Sequence, residues 1–269
     1  MSSSHFLTVI STHDTGRITT MIETDVLKEA ERLISTANSE DLTLRLLGGT
    51  AFGIRCPSAK HRAVARTYPD IDLVGLKKES RTLRKFFMSM GYEENKMFNA
   101  LRGSTRLMFF DIPNKRRIDI FLDYFDMCHK IELKDRLKID PKTLSLADLL
   151  ATKLQVVKTN EKDIKDMVAL LLDHDVVTSD EPEKVNGTRI AKLCADDWGI
   201  WKTFTTVLSK MLVVLEQLEL TPDERKLVRD RIERLSKMIE DEPKSMKWKM
   251  RARVGEKSVW YKLPDDLAE

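Results

Sequence analysis

The sequence has no hydrophobic run long enough to cross a membrane. Its longest apolar stretches, such as residues 211–215, are far shorter than the ~18 residues that a spanning helix needs. The N-terminal segment MSSSHFLTVIST has neither the basic region nor the long apolar region of a secretory signal. These absences predict a soluble, cytoplasmic protein with no membrane partner.

Cysteine is scarce, and charge of neither sign is in clear excess. Cys56, Cys128 and Cys194 are widely separated and odd in number, which fits neither a disulfide framework nor a zinc site built from C-x-x-C pairs. We therefore expect reduced thiols. The 46 Lys and Arg residues nearly balance the 43 Asp and Glu residues, so the net charge of +3 does not by itself indicate a partner.

The chain has enough apolar residues for folded domains. Of its 269 residues 42% are hydrophobic, and this length corresponds to about two domains. Strand-like and helix-like segments alternate in the front half, whereas from Ser145 onward the hydrophobic period is that of a helix. We therefore predict an α+β protein with a small mixed-sheet core at residues 1–140 and a mostly helical domain at residues 141–269.

The front half contains local patterns typical of helices and strands. Helices are predicted at residues 24–38, 51–54 and 79–90, the first of them behind a Thr24 cap. Strands are predicted at residues 42–47, 70–75 and 117–123. A further pair of strands is predicted at residues 99–100 and 107–112, around a turn at residues 102–104.

The back half contains two clear helix starts. Ser145 followed three residues later by Asp148 is one, and Thr221 followed by Pro222 is the other, whose helix is predicted to end at about residue 241. Further helices are predicted at residues 164–172 and 208–220, and a linker is predicted at residues 179–186.

Acidic residues occur in two of the predicted strands. Asp70 and Asp72 lie on one face of the first strand, because side chains two residues apart point the same way. Asp119 lies in the later strand among apolar neighbours. If these strands pair, the three carboxylates meet on one surface, where their mutual repulsion favours a divalent cation. Such a site suits two magnesium ions that stabilise an in-line displacement at phosphorus.

A glycine pair precedes the acidic residues in the chain. Gly48 and Gly49 follow a predicted strand and allow a phosphate chain to approach backbone N–H groups without obstruction by side chains. Thr50 adds a hydroxyl for a phosphate oxygen. Taken alone, a Gly-Gly-Thr segment after a strand is far more often an ordinary turn.

The order of these motifs resembles the nucleotidyltransferase superfamily that includes polymerase-beta-like enzymes. That superfamily has a strand ending in Gly-Gly or Gly-Ser, a short helix, an Asp-x-Asp strand and a later strand with a third acid. This chain has LLGGTAFG, RTYPDIDLVG and RRIDIFLD in that order. It is most similar to the branch of abortive-infection and toxin–antitoxin nucleotidyltransferases, over about residues 42–123. The later segment KLQVVKTNEKDIKDMVALL resembles that family's Lys-containing and Asp-rich helices.

The resemblance implies a role for each matched residue. The implied nucleotide-binding residues are Gly48, Gly49, Thr50 and Lys153, and the implied catalytic and Mg²⁺-binding residues are Asp70, Asp72 and Asp119. Asp119 would also act as the general base. Asp163 and Asp166 match the Asp-rich motif without a defined chemical role. Arg66 lies one residue farther from the aspartates than in the family's commonest form, so it is assigned no role, and Asp123 is interpreted as a strand-end carboxylate outside the site.

Positive charge is concentrated near these motifs and in the C-terminal tail. The basic residues near the motifs, suited either to phosphates or to solvated loops, are Arg55, Lys60, Arg62, Arg66, Arg102, Arg106, Lys115, Arg116 and Arg117. In the tail, basic residues from Lys244 to Lys262 are interleaved with Trp248, Trp260 and Tyr261. This combination is suited to a nucleic acid, because the basic residues would contact its phosphates and the rings its bases. Alternatively, the aromatic rings fix the tail onto the protein.

These observations predict an enzyme that transfers a nucleoside monophosphate from an NTP to an acceptor hydroxyl, with Mg²⁺ as cofactor. The toxin-like resemblance and the basic aromatic tail favour RNA as the acceptor, for example a tRNA 3′ end, and the resemblance also implies an antitoxin protein as partner. Two alternatives stay open. One is a non-catalytic nucleotide- or RNA-binding module, and the other is a nucleotidyltransferase that acts on a small molecule such as an aminoglycoside or on a protein.

Overall fold

A computed structural model describes residues 22–263 of the chain. These residues form a mixed α+β structure with ten α-helices and a five-stranded mixed sheet, which confirms the coarse fold class. Within this described part, no helix combines the length and the apolar character needed to cross a bilayer.

The five-stranded sheet lies in the front half of the chain. Its strands are β1 (Leu44–Leu47), β2 (Ile71–Gly75), β3 (Glu93–Glu94), β4 (Arg106–Asp111) and β5 (Arg116–Leu122). Their order across the sheet is β1-β2-β5-β4-β3, in which β2 and β5 are parallel and the other neighbours are antiparallel. The accompanying helices are α1 (Val26–Ser39), α2 (Gly48–Arg55), α3 (Ser80–Ser89) and α4 (Lys96–Arg102).

One face of the sheet is apolar and carries the core of the front half. Leu46, Leu73 and Ile120 are neighbours across β1, β2 and β5, and all three are buried. Phe87 of α3 stacks on Phe109 of β4, with ring centroids 5.1 Å apart. Burying each such side chain stabilises the fold by roughly 1.5–3 kcal/mol. Because side chains alternate along a strand, the residues between them are presented on the opposite face.

Helices dominate the back half. They are α5 (Leu146–Leu154), α6 (Glu161–Asp173), α7 (Gly187–Asp196), α8 (Trp198–Leu215), α9 (Pro222–Asp241) and α10 (Met246–Val254). The short strands β6 (Tyr124–Asp126) and β7 (Lys130–Glu132) form an antiparallel hairpin, and β8 (Asp175–Val177) pairs in parallel with β9 (Lys184–Asn186). The predicted helix starts are confirmed: Ser145 caps α5 by accepting from Asp148 N–H, and Thr221 caps α9 in the same way from Glu224 N–H.

Backbone pairing and packing join the two halves. Leu46 N–H donates to the Lys142 carbonyl and Leu144 N–H donates to the Leu46 carbonyl, both at 2.9 Å. Leu46 and Leu149 of α5 belong to the same hydrophobic cluster. The division of the chain at residues 140–141 stays a prediction.

Three local predictions in the front half were wrong in part. Helix α1 is capped by Asp25, whose carboxylate accepts from Leu27 N–H, and not by Thr24. Residues 99–100 lie in α4 and not in a strand, since Asn95 caps that helix and the Asn99 side chain bonds to Met108 of β4. Helix α2 begins at Gly48, three residues earlier than predicted.

Two predictions in the back half are also corrected. The predicted linker at residues 179–186 ends in β9, which pairs with β8 through residues such as Val176 and Val185. Of the helix predicted at residues 208–220, residues 208–215 form the second half of the longer α8, which ends at Leu215, and α7 precedes α8. The tail contains a helix, α10, that no sequence pattern indicated.

Candidate active site

Asp72 and Asp119 occupy paired positions at the centre of the sheet. The parallel register of β2 and β5 places Asp72 directly beside Asp119, and Leu47, the last residue of β1, lies on the other side of Asp72. Asp119 is fully buried, whereas Asp72 is partly buried. Two carboxylates from strands distant in sequence therefore share one row on the face opposite the apolar core.

Asp70 lies just before β2 and one row away from this pair. Its carboxylate accepts a hydrogen bond at 3.4 Å from the backbone N–H of Arg117, two residues before Asp119. The negative charge of Asp70 is close enough to act on the pKa of Asp72. The structure thus brings Asp72 and Asp119 together and places Asp70 at the margin of the pair.

Burial has a marked effect on the Asp72 carboxylate. The loss of solvent, followed by the negative charge of Asp119, raises the pKa of Asp72 from 3.8 to about 6. The positive charge of Lys153 opposes this shift. An ionised Asp72 is therefore costly unless a cation lies beside it.

Two arginines contact the Asp119 carboxylate. Arg106 of β4 donates from Nε to one carboxylate oxygen at 2.9 Å, and the Nε of Arg117 lies 2.9 Å from the other oxygen in an ion pair. The sequence pattern indicated both arginines only as positive charge near the strands. Arg117 stands two residues before Asp119, and the alternation of side chains along a strand predicts that both lie on one face. Arg106 reaches Asp119 only through the register of β4 with β5, which no local pattern shows.

Gly48 forms the closest contact between α2 and the carboxylates. It adopts a left-handed conformation with φ of +64°, and a Cβ at this position would lie 2.1 Å from Asp72 Oδ2. Only glycine fits this position, because any side chain would both strain the backbone and displace the carboxylate. The first turn of α2 therefore lies directly against Asp72.

The second glycine lies against Arg66. A Cβ on Gly49 would lie 2.2 Å from Nη2 of Arg66 and 2.9 Å from the ring of Tyr68. The Arg66 guanidinium is also 4.7 Å from the centroid of the Tyr68 ring. Arg66, to which the sequence motif assigned no role, thus covers the start of α2.

Thr50 completes the first turn of α2. Its side chain is fully buried, and its hydroxyl has no hydrogen-bond partner among residues 22–263. A buried hydroxyl without a partner costs roughly 1–3 kcal/mol, so a ligand oxygen that accepted a hydrogen bond from it would recover this energy.

Lys153 lies within an ionic network and not alone. Its ammonium is 2.7 Å from Asp163 and 3.0 Å from Asp166, and Asp166 also binds the Arg66 guanidinium through two hydrogen bonds of 2.7 Å. Burial lowers the pKa of Lys153, but Asp166 and Asp163 outweigh it and the pKa lies above its ordinary value. Asp163 and Asp166, which the motif left without a role, therefore hold Lys153, and Asp166 also holds Arg66, which lies against Gly49 of α2.

The carboxylates present hard oxygen ligands, which is the chemistry that Mg²⁺ prefers. Asp72 and Asp119 lie side by side, and burial together with the charge of Asp119 raises the pKa of Asp72, so a cation beside the pair would stabilise the ionised form of Asp72. No group of three or more His, Cys, Asp and Glu side chains within residues 22–263 has the arrangement of a metal site. A cation between the two carboxylates would compete with Arg106 and Arg117 for Asp119.

The tail aromatics pack onto the protein. Trp248 makes an edge contact with Trp201, and Trp260 makes one with Trp198. The indole N–H of Trp260 donates to the Thr203 hydroxyl at 3.2 Å. Of the two interpretations of the tail, the one in which its aromatic rings fix it onto the protein therefore holds for these two indoles.

Asp123 directly follows β5, as the interpretation of a strand-end carboxylate predicted. Its carboxylate accepts from the backbone N–H of Lys77 at 2.9 Å, and its φ of +66° turns the chain after β5.

Comparison with known proteins adds no assignment: no protein-family model matches this chain, and no curated protein matches it.

Proposed function

We propose that this protein is a metal-dependent nucleotidyltransferase that moves a nucleoside monophosphate from an NTP to an acceptor hydroxyl. The observation that supports the proposal most strongly is the contact of three elements at one point. Asp72 and Asp119 are register partners, and Gly48 at the start of α2 lies against the Asp72 carboxylate. Carboxylates and a helix start without side chains are the two groups that a metal–triphosphate complex needs.

The proposed reaction is a displacement at the α-phosphorus of the NTP. The acceptor hydroxyl oxygen forms a new bond to this phosphorus, the bond to the bridging oxygen of the β-phosphate breaks, and pyrophosphate leaves. The hydroxyl proton passes to Asp119. Gly48, Gly49 and Thr50 bind the triphosphate, and catalysis comes from positioning and from stabilisation of charge.

Asp70, Asp72 and Asp119 would hold Mg²⁺. When bound, the metal supplies charge neutralisation at the phosphate oxygens and at the attacking oxygen. The role of the protein is to present carboxylates whose ionised form is costly without a cation, as the raised pKa of Asp72 indicates. Lys153, held by Asp163 and Asp166, would contribute its positive charge from the side of α5.

RNA is the proposed acceptor, and a toxin role with an antitoxin partner is proposed with it. The resemblance of the GGTA and DIDL segments to toxin–antitoxin nucleotidyltransferases supports both.

A specific observation favours a second function, a nucleotide-binding module without turnover. Arg106 and Arg117 both contact Asp119 and neutralise the carboxylate that would otherwise bind metal.

A labelling assay separates these functions. Purified protein with Mg²⁺ is incubated with each α-³²P-labelled NTP and, in separate reactions, total cellular RNA, total protein or an aminoglycoside. We expect label in RNA, and no label with Asp70→Asn or Asp119→Asn, while circular dichroism shows that both variants stay folded. Asp123→Asn is the matched control, since it replaces a neighbouring strand-end acid and should transfer label at the parent rate.

Two results would contradict the proposal. If no acceptor of any class is labelled although NTP binds, the protein is the binding module. If Asp70→Asn and Asp119→Asn transfer label as fast as Asp123→Asn, the active site lies elsewhere. Label in protein or in the aminoglycoside would support transfer activity, with an acceptor other than RNA.

A further inference from the structure

Two cavities lie next to each other along the β6–β7 hairpin. The smaller, of about 370 Å³, is lined by Arg106, which binds Asp119, and by Tyr124 and Asp126 of β6. The larger, of about 690 Å³, is lined by residues that follow in the chain, including Lys130 of β7. The hairpin therefore borders both cavities, and Arg106 links the smaller one to Asp119.

The C-terminal segment forms the other wall and joins the two cavities. Lys262 lines both of them. Its backbone N–H donates to the Cys128 carbonyl at 3.0 Å, and its ammonium lies 3.0 Å from both oxygens of Asp126. This segment is held against the hairpin by the hydrogen bonds of Lys262 and against α8 by Trp260, so the walls of the groove are fixed in place.

The walls carry an excess of positive charge. Within residues 22–263 the basic residues that line the two cavities are Arg102, Arg106, Lys130, Lys247, Arg251 and Lys262. The acidic ones are Asp126, Asp196 and Asp197, of which Asp197 accepts the first N–H groups of α8. His129 adds no charge at neutral pH, because burial lowers its pKa to about 4. Lys130 is paired with Glu132 at 2.6 Å and Lys262 with Asp126 at 3.0 Å, so the phosphates of a bound polyanion would replace these carboxylates as partners of the two lysines.

Aromatic rings alternate with these charges. The rings that line the cavities are Phe98, Phe121, Tyr124, Trp198, Trp260 and Tyr261. Phe98, Tyr124 and Tyr261 are only partly buried, and the Lys130 ammonium lies 4.0 Å from the centroid of the Tyr124 ring. Exposed rings that alternate with cations are suited to a strand whose bases are unpaired, because a base can stack only when it is not within a duplex.

On the basis of the proposed transfer activity, we infer that the groove between the β6–β7 hairpin and residues 259–263 binds the single-stranded end of a nucleic-acid acceptor. The strand enters along Lys130 and Lys262, its bases stack on rings such as Tyr124, and its terminal hydroxyl reaches Asp119 past Arg106. Arg106 contacts both the carboxylate and the groove, and the rings of Phe121 and Phe98 lie 4.8 Å and 5.7 Å from its guanidinium. It is thus the residue that connects the two parts of the site.

Binding is measured without turnover. The full-length protein in EDTA is titrated into a 5′-fluorescein 12-nucleotide RNA of mixed, unstructured sequence, and fluorescence anisotropy is followed between 50 and 300 mM KCl. We expect the double variant Lys130→Glu/Lys262→Glu to weaken binding at least about tenfold and to reduce the salt dependence, since each lysine that contacts a phosphate releases a counterion. Tyr124→Leu should weaken binding about fivefold or more, the effect of one lost stacking contact.

A charge-matched control comes from the same tail. Lys249 and Lys257 are exposed, and neither lines the cavities, so Lys249→Glu/Lys257→Glu changes the net charge equally and should alter the affinity less than about threefold. The inference is overturned if the parent does not bind the RNA, if the two double variants lose affinity equally, or if a duplex of the same length binds as tightly as the single strand.

Failure of this inference and failure of the proposed function give different results. If the labelling assay shows transfer to RNA but Lys130→Glu/Lys262→Glu transfers label at the parent rate, the acceptor uses another surface and the enzyme stands. If no transfer occurs but the same variant selectively loses RNA binding, the groove is a nucleic-acid site and the proposed chemistry is wrong.

Discussion

Gly48 and the carboxylate of Asp72 are in direct contact. A Cβ on Gly48 would lie 2.1 Å from Asp72 Oδ2, closer than any two such atoms approach, and the φ of +64° at Gly48 disfavours a side chain for a second, independent reason. The start of α2 and the carboxylates of β2 and β5 are therefore one unit, in which a change in either part moves the other.

This contact predicts that Gly48→Ala slows transfer. We expect the rate to fall at least about tenfold, since the alanine must displace Asp72, and stability to fall by more than the ~1–2 kcal/mol of left-handed strain alone. Gly91→Ala is the control: its φ is +91°, but the atom nearest to the added Cβ is Ile22 Cδ1 at 3.8 Å, an ordinary contact. Urea unfolding and label transfer are measured on both; equal losses of stability would contradict the predicted clash.

The pKa of Asp72 predicts an unusual dependence of stability on pH. Its folded-state pKa of about 6 exceeds the unfolded value of 3.8, so the folded state binds the proton more tightly and the free energy of unfolding falls as the pH rises from about 4 to 6. Asp72→Asn removes this effect. In EDTA at pH 8 we expect the variant to be more stable than the parent by up to about 3 kcal/mol, and at pH 4 the two should be similar.

A second buried carboxylate provides the contrast. Asp111 is fully buried, but it accepts hydrogen bonds from Asn114 and lies 3.6 Å from the Arg116 guanidinium, so Asp111→Asn should destabilise the protein. Thermal unfolding followed by circular dichroism across this pH range tests both variants. If Asp72→Asn were less stable than the parent at pH 8, the negative charge of Asp72 would be well compensated by neighbouring cations in the protein without a ligand, and the prediction would be wrong.

The buried hydroxyl of Thr50 predicts a separation of stability from binding. Thr50→Val keeps the shape of the side chain and removes a hydroxyl that has no partner within residues 22–263, so stability should be unchanged or rise by about 1 kcal/mol. If the hydroxyl binds the triphosphate, the affinity for NTP should fall by about tenfold. Thr50→Ser retains the hydroxyl and should bind as the parent does; equal NTP affinities of the valine and serine variants, measured by calorimetry, would exclude this role.

The Asp166 network predicts a large loss of stability. Asp166→Asn removes the bidentate partner of Arg66 and one partner of Lys153, and leaving charge buried without compensation costs about 3 kcal/mol or more. Asp241→Asn is the control, because its i,i+4 pair with Lys237 is exposed to solvent, which screens the attraction between the two charges. Urea unfolding compares the two, and a loss at Asp166 as small as that at Asp241 would disprove the prediction.

Local sequence patterns determined most of the elements. Ser145 with Asp148 and Thr221 with Pro222 identified two helix starts, because a helix cap is satisfied by residues three positions away and needs no tertiary contact. Alternation placed Asp72 and Asp119 within strands for the same reason. The patterns were wrong at Asn99, whose side chain bonds to Met108 on a separate strand, and they were silent on α10, which buries none of its residues and so has no apolar period.

The sequence by itself determined which residue types stand in which strands and helices, since these depend on neighbours within a few positions. Only the tertiary structure decided which of them meet. The parallel register sets Asp72 beside Asp119, the antiparallel register brings Arg106 onto the same carboxylate, and Arg66 finds Asp166 one hundred residues away. Strand register and contacts between distant helices follow from the packing of the whole core, and no local pattern encodes them.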